Sequence, residues 1–210
     1  MAYRLYITNK NYSPWSMRPW LLMRQLSIPF DEILANLKPG SIAQPHWGEF
    51  SPVAHVPCLH HTLDEETLIL WESIAIVEHL AENHSDKAVY PSDRAARAWA
   101  RSAVGEMHAG FARIRGEMGM NIGMRVRLGA KGEVSEELNR DLERINQLWT
   151  EGLKRFGGPW LAGKEFTAVD AFYAPVVLRL QTFVGGVERL GERARGYHER
   201  VLELEAVKEW

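Results

Sequence analysis

With a single cysteine, Cys58, the chain cannot form an internal disulfide. The strand-forming neighbours of that residue mark it as a packing group in a buried strand. An excess of one charge is also missing. Lys and Arg total 25 against 27 Asp and Glu, a formal net charge of −2, and the basic residues are dispersed. That pattern disfavours a nucleic-acid or anionic-membrane surface and points to small-molecule or protein partners. No basic-then-apolar leader opens Met1-Ala2-Tyr3-Arg4, and no apolar run approaches the roughly 18 residues that crossing a bilayer takes. The expectation is a soluble cytoplasmic protein. His60, His61, His79 and His84 lack metal-ligand spacing with cysteine or carboxylate company, so no metal is expected and these read as exposed polar residues. What is present is apolar surface. At 46% hydrophobic residues over 210 positions, the chain is no disordered tail and can bury one large core or two modest ones.

The most informative stretch is 51–80. Pro52 and Pro57 bracket a short polar turn, and Val56, Cys58 and Leu59 follow as strand formers. A proline at the head of a strand cannot donate to the ladder and is a candidate cis peptide, which would turn the Val56 backbone outward to pair with an extended ligand. A strand over Thr67–Trp71 then stops at Glu72-Ser73 and enters an amphipathic helix running to Asn83. Ser73 reads as its N-cap, and a helix N-terminus carrying a hydroxyl suits an anion.

Alternating residues predict a first strand over Tyr3–Thr8, and Phe30–Leu37 supplies a second. Between them a helix begins near Tyr12-Ser13-Pro14-Trp15-Ser16-Met17-Arg18-Pro19. Pro19 favours a start at Ser16, whereas Ser13 followed by Pro14 is an equally good cap pair that leaves Pro19 as a kink. Pro45–Phe50 is a short irregular helix. The order βαβ then ββα is the thioredoxin-like arrangement, assigned to residues 1–84, with 85–92 as linker.

From 93 to 210 the periodicity is helical, with no convincing strand. Ala100, Val104, Met107, Phe111, Ile114 and Met118 lie on one stripe of a long helix. A second helix runs over about Ser135–Phe156. Thr167-Ala168-Val169-Asp170 is a capping box opening a third, which continues past Pro175, and Tyr197–Trp210 closes the chain as an amphipathic segment.

The turn at Ser13-Pro14-Trp15-Ser16 sits where thioredoxin-fold redox proteins carry C-P-x-C, with serines in place of both cysteines. Without a thiol there is no nucleophile on the protein for disulfide exchange. A hydroxyl there can instead donate to a bound thiolate, helped by the positive end of the helix.

Val56-Pro57 and Glu72-Ser73, at this separation and in this order with the Ser13 turn, resemble the glutathione transferase family, and the resemblance covers essentially the whole chain. It implies a thioredoxin-like first domain and an all-helical second domain. It implies glutathione as co-substrate, held by Val56, Pro57, Glu72, Ser73 and His55, with Ser13 as the catalytic hydroxyl. The turn resembles the S-P-F form of the plant tau class. It also resembles the zeta class through S-x-W and a following arginine, and alignment on the tryptophan then puts the catalytic serine at Asn11. Asn11, Tyr12 and Ser16 are therefore rival thiol donors. A free thiol ionises near pH ~8.5, and lowering that by about two units takes ~2.7 kcal/mol of preferential thiolate stabilisation, within reach of one charge-assisted hydrogen bond plus a helix end. The second substrate is expected against Trp15, Met107, Phe111 and Arg115, with Met118, Met120 and Met124 as an adaptable apolar surface. The resemblance implies a homodimer acting on a small electrophile. Two alternatives stand beside it: a maleylacetoacetate-type cis/trans isomerase, which would need Arg115 or Arg179 for a dicarboxylate, and a non-catalytic binding module.

Overall fold

The computed structural model describes residues 2–38, 44–64, 66–129 and 133–210. A four-stranded sheet is built from β1 (Ala2–Ile7), β2 (Asp31–Leu34), β3 (Cys58–Leu63) and β4 (Glu66–Trp71) in the order β2-β1-β3-β4. β2 runs parallel to β1, and β3 is antiparallel to both of its neighbours. Tyr3, Leu5 and Ile7 alternate with more exposed residues along β1, the period-two pattern of a strand with one buried face. The Phe30–Leu37 expectation shrinks to four residues at the sheet edge.

Helix α1 (Pro14–Gln25) joins β1 to β2, with Ser13 in the cap position and Pro14 in the first turn. Of the two starts legible in the sequence, the earlier one forms, and Pro19 lies inside the helix. Every residue from Ser16 to Met23 is buried, because α1 lies between the sheet and a helix of the second half. Helix α2 (Ser73–Asn83) follows β4 directly. It starts one residue earlier than a Ser73 cap would require, so Glu72 takes the cap position at φ 68°.

The second half holds α3 (Arg94–Ala109), α4 (Ala112–Glu117), α5 (Glu136–Arg155), α6 (Ala168–Thr182), α7 (Glu192–Leu202) and α8 (Glu205–Glu209). The long helix read from the 100–118 stripe is two helices. Phe111 takes a left-handed conformation at φ 58°, and Asp141 accepts the amides of Arg113 and Ile114 at 3.1 Å each, starting α4 afresh. Periodicity misses the break because the apolar spacing continues through it, and all six stripe residues are buried. A two-residue parallel pair, β5 (Val126–Arg127) with β6 (Phe183–Val184), also departs from the all-helical expectation. The capping box of Thr167 and Asp170 forms at the head of α6, which is buried along nearly its whole length. The final segment begins earlier than expected and is divided between α7 and α8.

One buried cluster joins both halves, with Trp20, Leu21 and Met23 of α1 continuous with Phe172 and Tyr173 of α6. The architecture is a thioredoxin-like first domain against a helical second domain. Among the described residues no helix is long and apolar enough to cross a membrane.

Candidate functional site

The last rung of the β3–β4 ladder pairs Cys58 with Trp71. Just beyond it the Val56–Pro57 peptide is cis, and among the described residues the Val56 main chain has no partner. On the other side of that rung the chain turns through Glu72 into α2. A cleft of about 600 Å³ opens here between the halves of the molecule, lined by His55, Val56, Glu72, Ser73, Trp15 and Arg115, with His108 from α3. A non-glycine residue held at positive φ beside a cleft is the kind of local strain that accompanies a site.

Ser73, buried at the first position of α2, does not cap its own helix. Its hydroxyl instead meets Nη1 of Arg18 at 3.5 Å. Arg18 is 2% exposed, and its guanidinium lies over the ring of Trp15 at 4.1 Å and that of Phe172 at 4.7 Å. Burial, followed by the like charges of Arg115 and Arg179, lowers its pKa to about 9, against a smaller opposing pull from Tyr173 and Glu72. His108 stacks edge-on to Trp15 at 5.4 Å with Nε2 3.7 Å from Glu72 Oε2. Burial and then Arg18 depress its pKa, while Glu72 opposes. Neither Arg18 nor His108 was singled out from the sequence. For Arg18 the available signal was a cation set among Met17, Pro19, Trp20 and Leu21 on a helix with no polar face.

His55 is exposed at the cleft mouth, and its Nδ1 donates to the Val53 carbonyl at 2.5 Å. With Nδ1 carrying that proton, Nε2 of a neutral ring is an acceptor, so only the imidazolium can donate from Nε2 to an anion.

Ser13 is buried, does not line this cleft, and donates to the Ser16 hydroxyl at 2.8 Å. Its rivals have other surroundings. Asn11 donates to Asn121 Oδ1 and accepts the Gly123 amide, both at 2.9 Å, which ties the turn to the loop after α4. Tyr12 is exposed, and Ser16 is fully buried.

Of the expected second-substrate wall, Trp15 and Arg115 line the cleft, whereas Met107 and Phe111 are core residues, as is Met118. The Arg115 guanidinium donates to the carbonyls of Met107, His108 and Gly110 at the end of α3. Arg179 likewise donates to the carbonyls of Ile114, Arg115 and Met118 around the end of α4. Both serve as C-terminal caps, where a cation meets the negative end of the helix. A second cavity of about 660 Å³ shares no lining residue with the cleft and meets the head of α1 at Tyr12. Met120, Met124, Val126, Leu128 and Phe183 make its wall largely apolar.

The histidines differ from expectation. His61 is fully buried, with Nδ1 2.8 Å from His79 Nε2, and Tyr3 Oη lies 3.0 Å from His84 Nε2. They fill the space between β1, β3 and α2 and are not exposed. Among the described residues no group of three or more His, Cys, Asp or Glu could hold a metal. Cys58 is buried, and desolvation raises its thiol to about 11, which suits a packing residue.

Residues 12–83 match the family described as glutathione S-transferase, N-terminal domain. Glutathione S-transferase GstB of Escherichia coli K12 is 33% identical over 98 residues, a stretch covering 43% of this chain and 46% of that relative, so the chain matches less than half of GstB's length. Glutathione S-transferase-like protein OpS6 of Beauveria bassiana is 25% identical over 188 residues, covering 86% of this chain and 80% of that one. In fold, the chain is similar to a Burkholderia glutathione transferase homolog solved with bound glutathione, at TM-score 0.68 and 21% identity over 100% of this chain and 96% of that one. The family match thus rests on the stretch that holds α1, β2, β3, β4 and α2, the elements that carry one wall of the cleft.

Proposed function

We propose that the chain is a glutathione transferase that takes glutathione into the cleft beneath Trp15 and directs its sulfur to a small electrophile. One observation carries this reading: an unpartnered Val56 main chain at the end of β3 and the N-terminus of α2 at Ser73 open into the same space. An extended peptide can add to the first as a strand would, and a carboxylate can sit on the second. The names of GstB and OpS6, and the ligand of the Burkholderia homolog, support the same choice.

In this reading Val56 pairs with the cysteinyl main chain of glutathione, and Glu72 and Ser73 hold the γ-glutamyl end. His55 meets the glycyl carboxylate when protonated. The sulfur points toward the head of α1, where the Ser13 hydroxyl exchanges its bond to Ser16 for a stronger, charge-assisted one to the thiolate. The thiol proton leaves to solvent, the sulfur forms a bond to an electrophilic carbon, and the leaving group departs with the electron pair of the bond that breaks. The apolar cavity that begins at Tyr12, next in the chain to Ser13, offers room for that substrate. The reading extends to a cytoplasmic homodimer with a domain boundary at 85–92.

The isomerase alternative needs an arginine for a dicarboxylate, and both candidates are engaged with main-chain carbonyls. The non-catalytic module is favoured by the burial of Ser13 and its donation to Ser16. Calorimetric titration with reduced glutathione up to millimolar concentration, paired with the conjugation rate of an activated aryl chloride, decides between them. Uptake with turnover supports the transferase, uptake without turnover the module. The absence of heat at millimolar glutathione removes the reading.

A further inference from the structure

The segment 118–129, which leads from the end of α4 past β5, meets the turn that opens α1, and among the described residues the Asn11 side chain makes its only hydrogen bonds to the thioredoxin-like half. Asn11 is engaged at both ends of its amide: Nδ2 donates to Asn121 Oδ1, and Oδ1 accepts the Gly123 amide, each at 2.9 Å. Asn121 is also anchored from the opposite side, because its carbonyl accepts from the Thr182 hydroxyl of α6 at 2.9 Å. Farther along, Leu128 donates to the Val184 carbonyl at 2.8 Å beside the β5–β6 pair. One side of the segment is thus fixed to α6 and β6 by several bonds, whereas its hold on the turn that carries Ser13 depends on one side chain. Asn121 and Gly123 are flanked by Met120 and Met124, which line the apolar cavity of about 660 Å³ together with Tyr12. Asn11 lines neither that cavity nor the cleft, so it acts through what it holds.

We propose that Asn11 is a positioning residue: its bridge to Asn121 and Gly123 sets the apolar cavity against the Ser13 turn, so that one ligand can place its sulfur at the head of α1 and an apolar substituent of that sulfur in the cavity. This rests on the glutathione reading and adds to it the group that couples the sulfur position to the wall for the second substrate. A wall fixed beforehand spares the ligand the cost of ordering it. In this role Asn11 does not touch the sulfur, and losing Asn121 has the same consequence as losing Asn11 itself. Only Oδ1 of the Asn121 side chain takes part, so a carboxylate at 121 keeps the bridge through a charge-assisted bond.

Calorimetry with reduced glutathione and with S-hexylglutathione, whose six-carbon chain hangs on the sulfur, compares wild-type, Asn11→Ala, Asn121→Ala, the double variant and Asn121→Asp. Wild-type is expected to bind the S-hexyl ligand at least about tenfold more tightly than glutathione, as burial of part of the alkyl chain requires. Each Ala variant should lose about three- to tenfold of that preference, the scale of one or two neutral hydrogen bonds, with glutathione itself bound within about twofold of wild-type. The double variant should be no worse than either single one, and Asn121→Asp should keep the preference. The ratio of two affinities within each protein cancels a general loss of folded molecules, and thermal melts accompany the titrations. Should Asn11→Ala fail to fold, Asn121→Ala and Asn121→Asp carry the comparison. Wild-type that binds both ligands alike, Ala variants that keep the preference, losses that multiply in the double variant, or an Asn121→Asp protein that behaves as Asn121→Ala each overturn this inference and leave the glutathione reading standing. A loss in Asn11→Ala that is absent from Asn121→Ala overturns it in favour of direct contact between Asn11 and the sulfur. Wild-type that takes up neither ligand overturns the functional reading and this inference with it.

Discussion

The Ser13 hydroxyl donates to the hydroxyl of Ser16 at 2.8 Å, on the first turn of a helix whose next residues are all buried. In the proposed reaction this bond is exchanged for one to the thiolate, because a thiolate accepts a stronger bond than a neutral oxygen does. Ser13→Ala is expected to leave glutathione affinity within about twofold and to lower the conjugation rate at pH 7 by roughly 10- to 100-fold, the consequence of returning a thiol pKa by one to two units. Rates measured across pH 6–9 check this: the variant should recover toward wild-type as pH rises. Asn11→Ala should not show that recovery, since Asn11 is engaged with Asn121 and Gly123.

Asp170 is wholly buried and accepts the amides of Leu161 at 3.0 Å and Thr167 at 2.9 Å. Asn cannot accept with both of its terminal atoms, so Asp170→Asn leaves one buried amide facing a donor, at a cost of about 1–3 kcal/mol. Burial raises the Asp170 pKa from 3.8 to about 6, outweighing the bonds that lower it. Between those values the folded chain keeps a proton that the unfolded chain releases. The stability Asp170 contributes is thus complete below pH 3.8 and declines as pH rises through about 6. Urea midpoints from pH 4 to pH 7 check both statements, and the Asn variant should lack this component of the slope.

Gly152 on α5 faces Trp99 of α3 and the Leu161 carbonyl, and a Cβ there would come closer than 3.0 Å to both. The Leu161 amide is fixed by Asp170, so that loop cannot easily withdraw. Gly152→Ala should therefore destabilise the fold by about 1–3 kcal/mol, although alanine favours an exposed helix by ~1 kcal/mol. Thermal or urea melts measure it, and a rise in stability would contradict the close approach.

Local chemistry determined a good part of this molecule. Turn residues, β-strand formers and the two dipeptides Val56-Pro57 and Glu72-Ser73 located the sheet, α2 and one wall of the cleft, because each depends on neighbours within a few positions. Ser135 and the Thr167–Asp170 box opened their helices for the same reason. Tertiary structure decided the rest. The 100–118 stripe breaks at Phe111 because Asp141, from another helix, caps a new start. His61 is buried because Tyr3 and His79 close over it from β1 and α2. Arg18 became a buried charge at the cleft only when α6 brought Phe172 against α1 and α2 brought Ser73 within reach. Sequence periodicity reports which residues are apolar and how they are spaced. Which charge is left without water or a partner depends on elements more than fifty residues apart, and that is settled only when they pack.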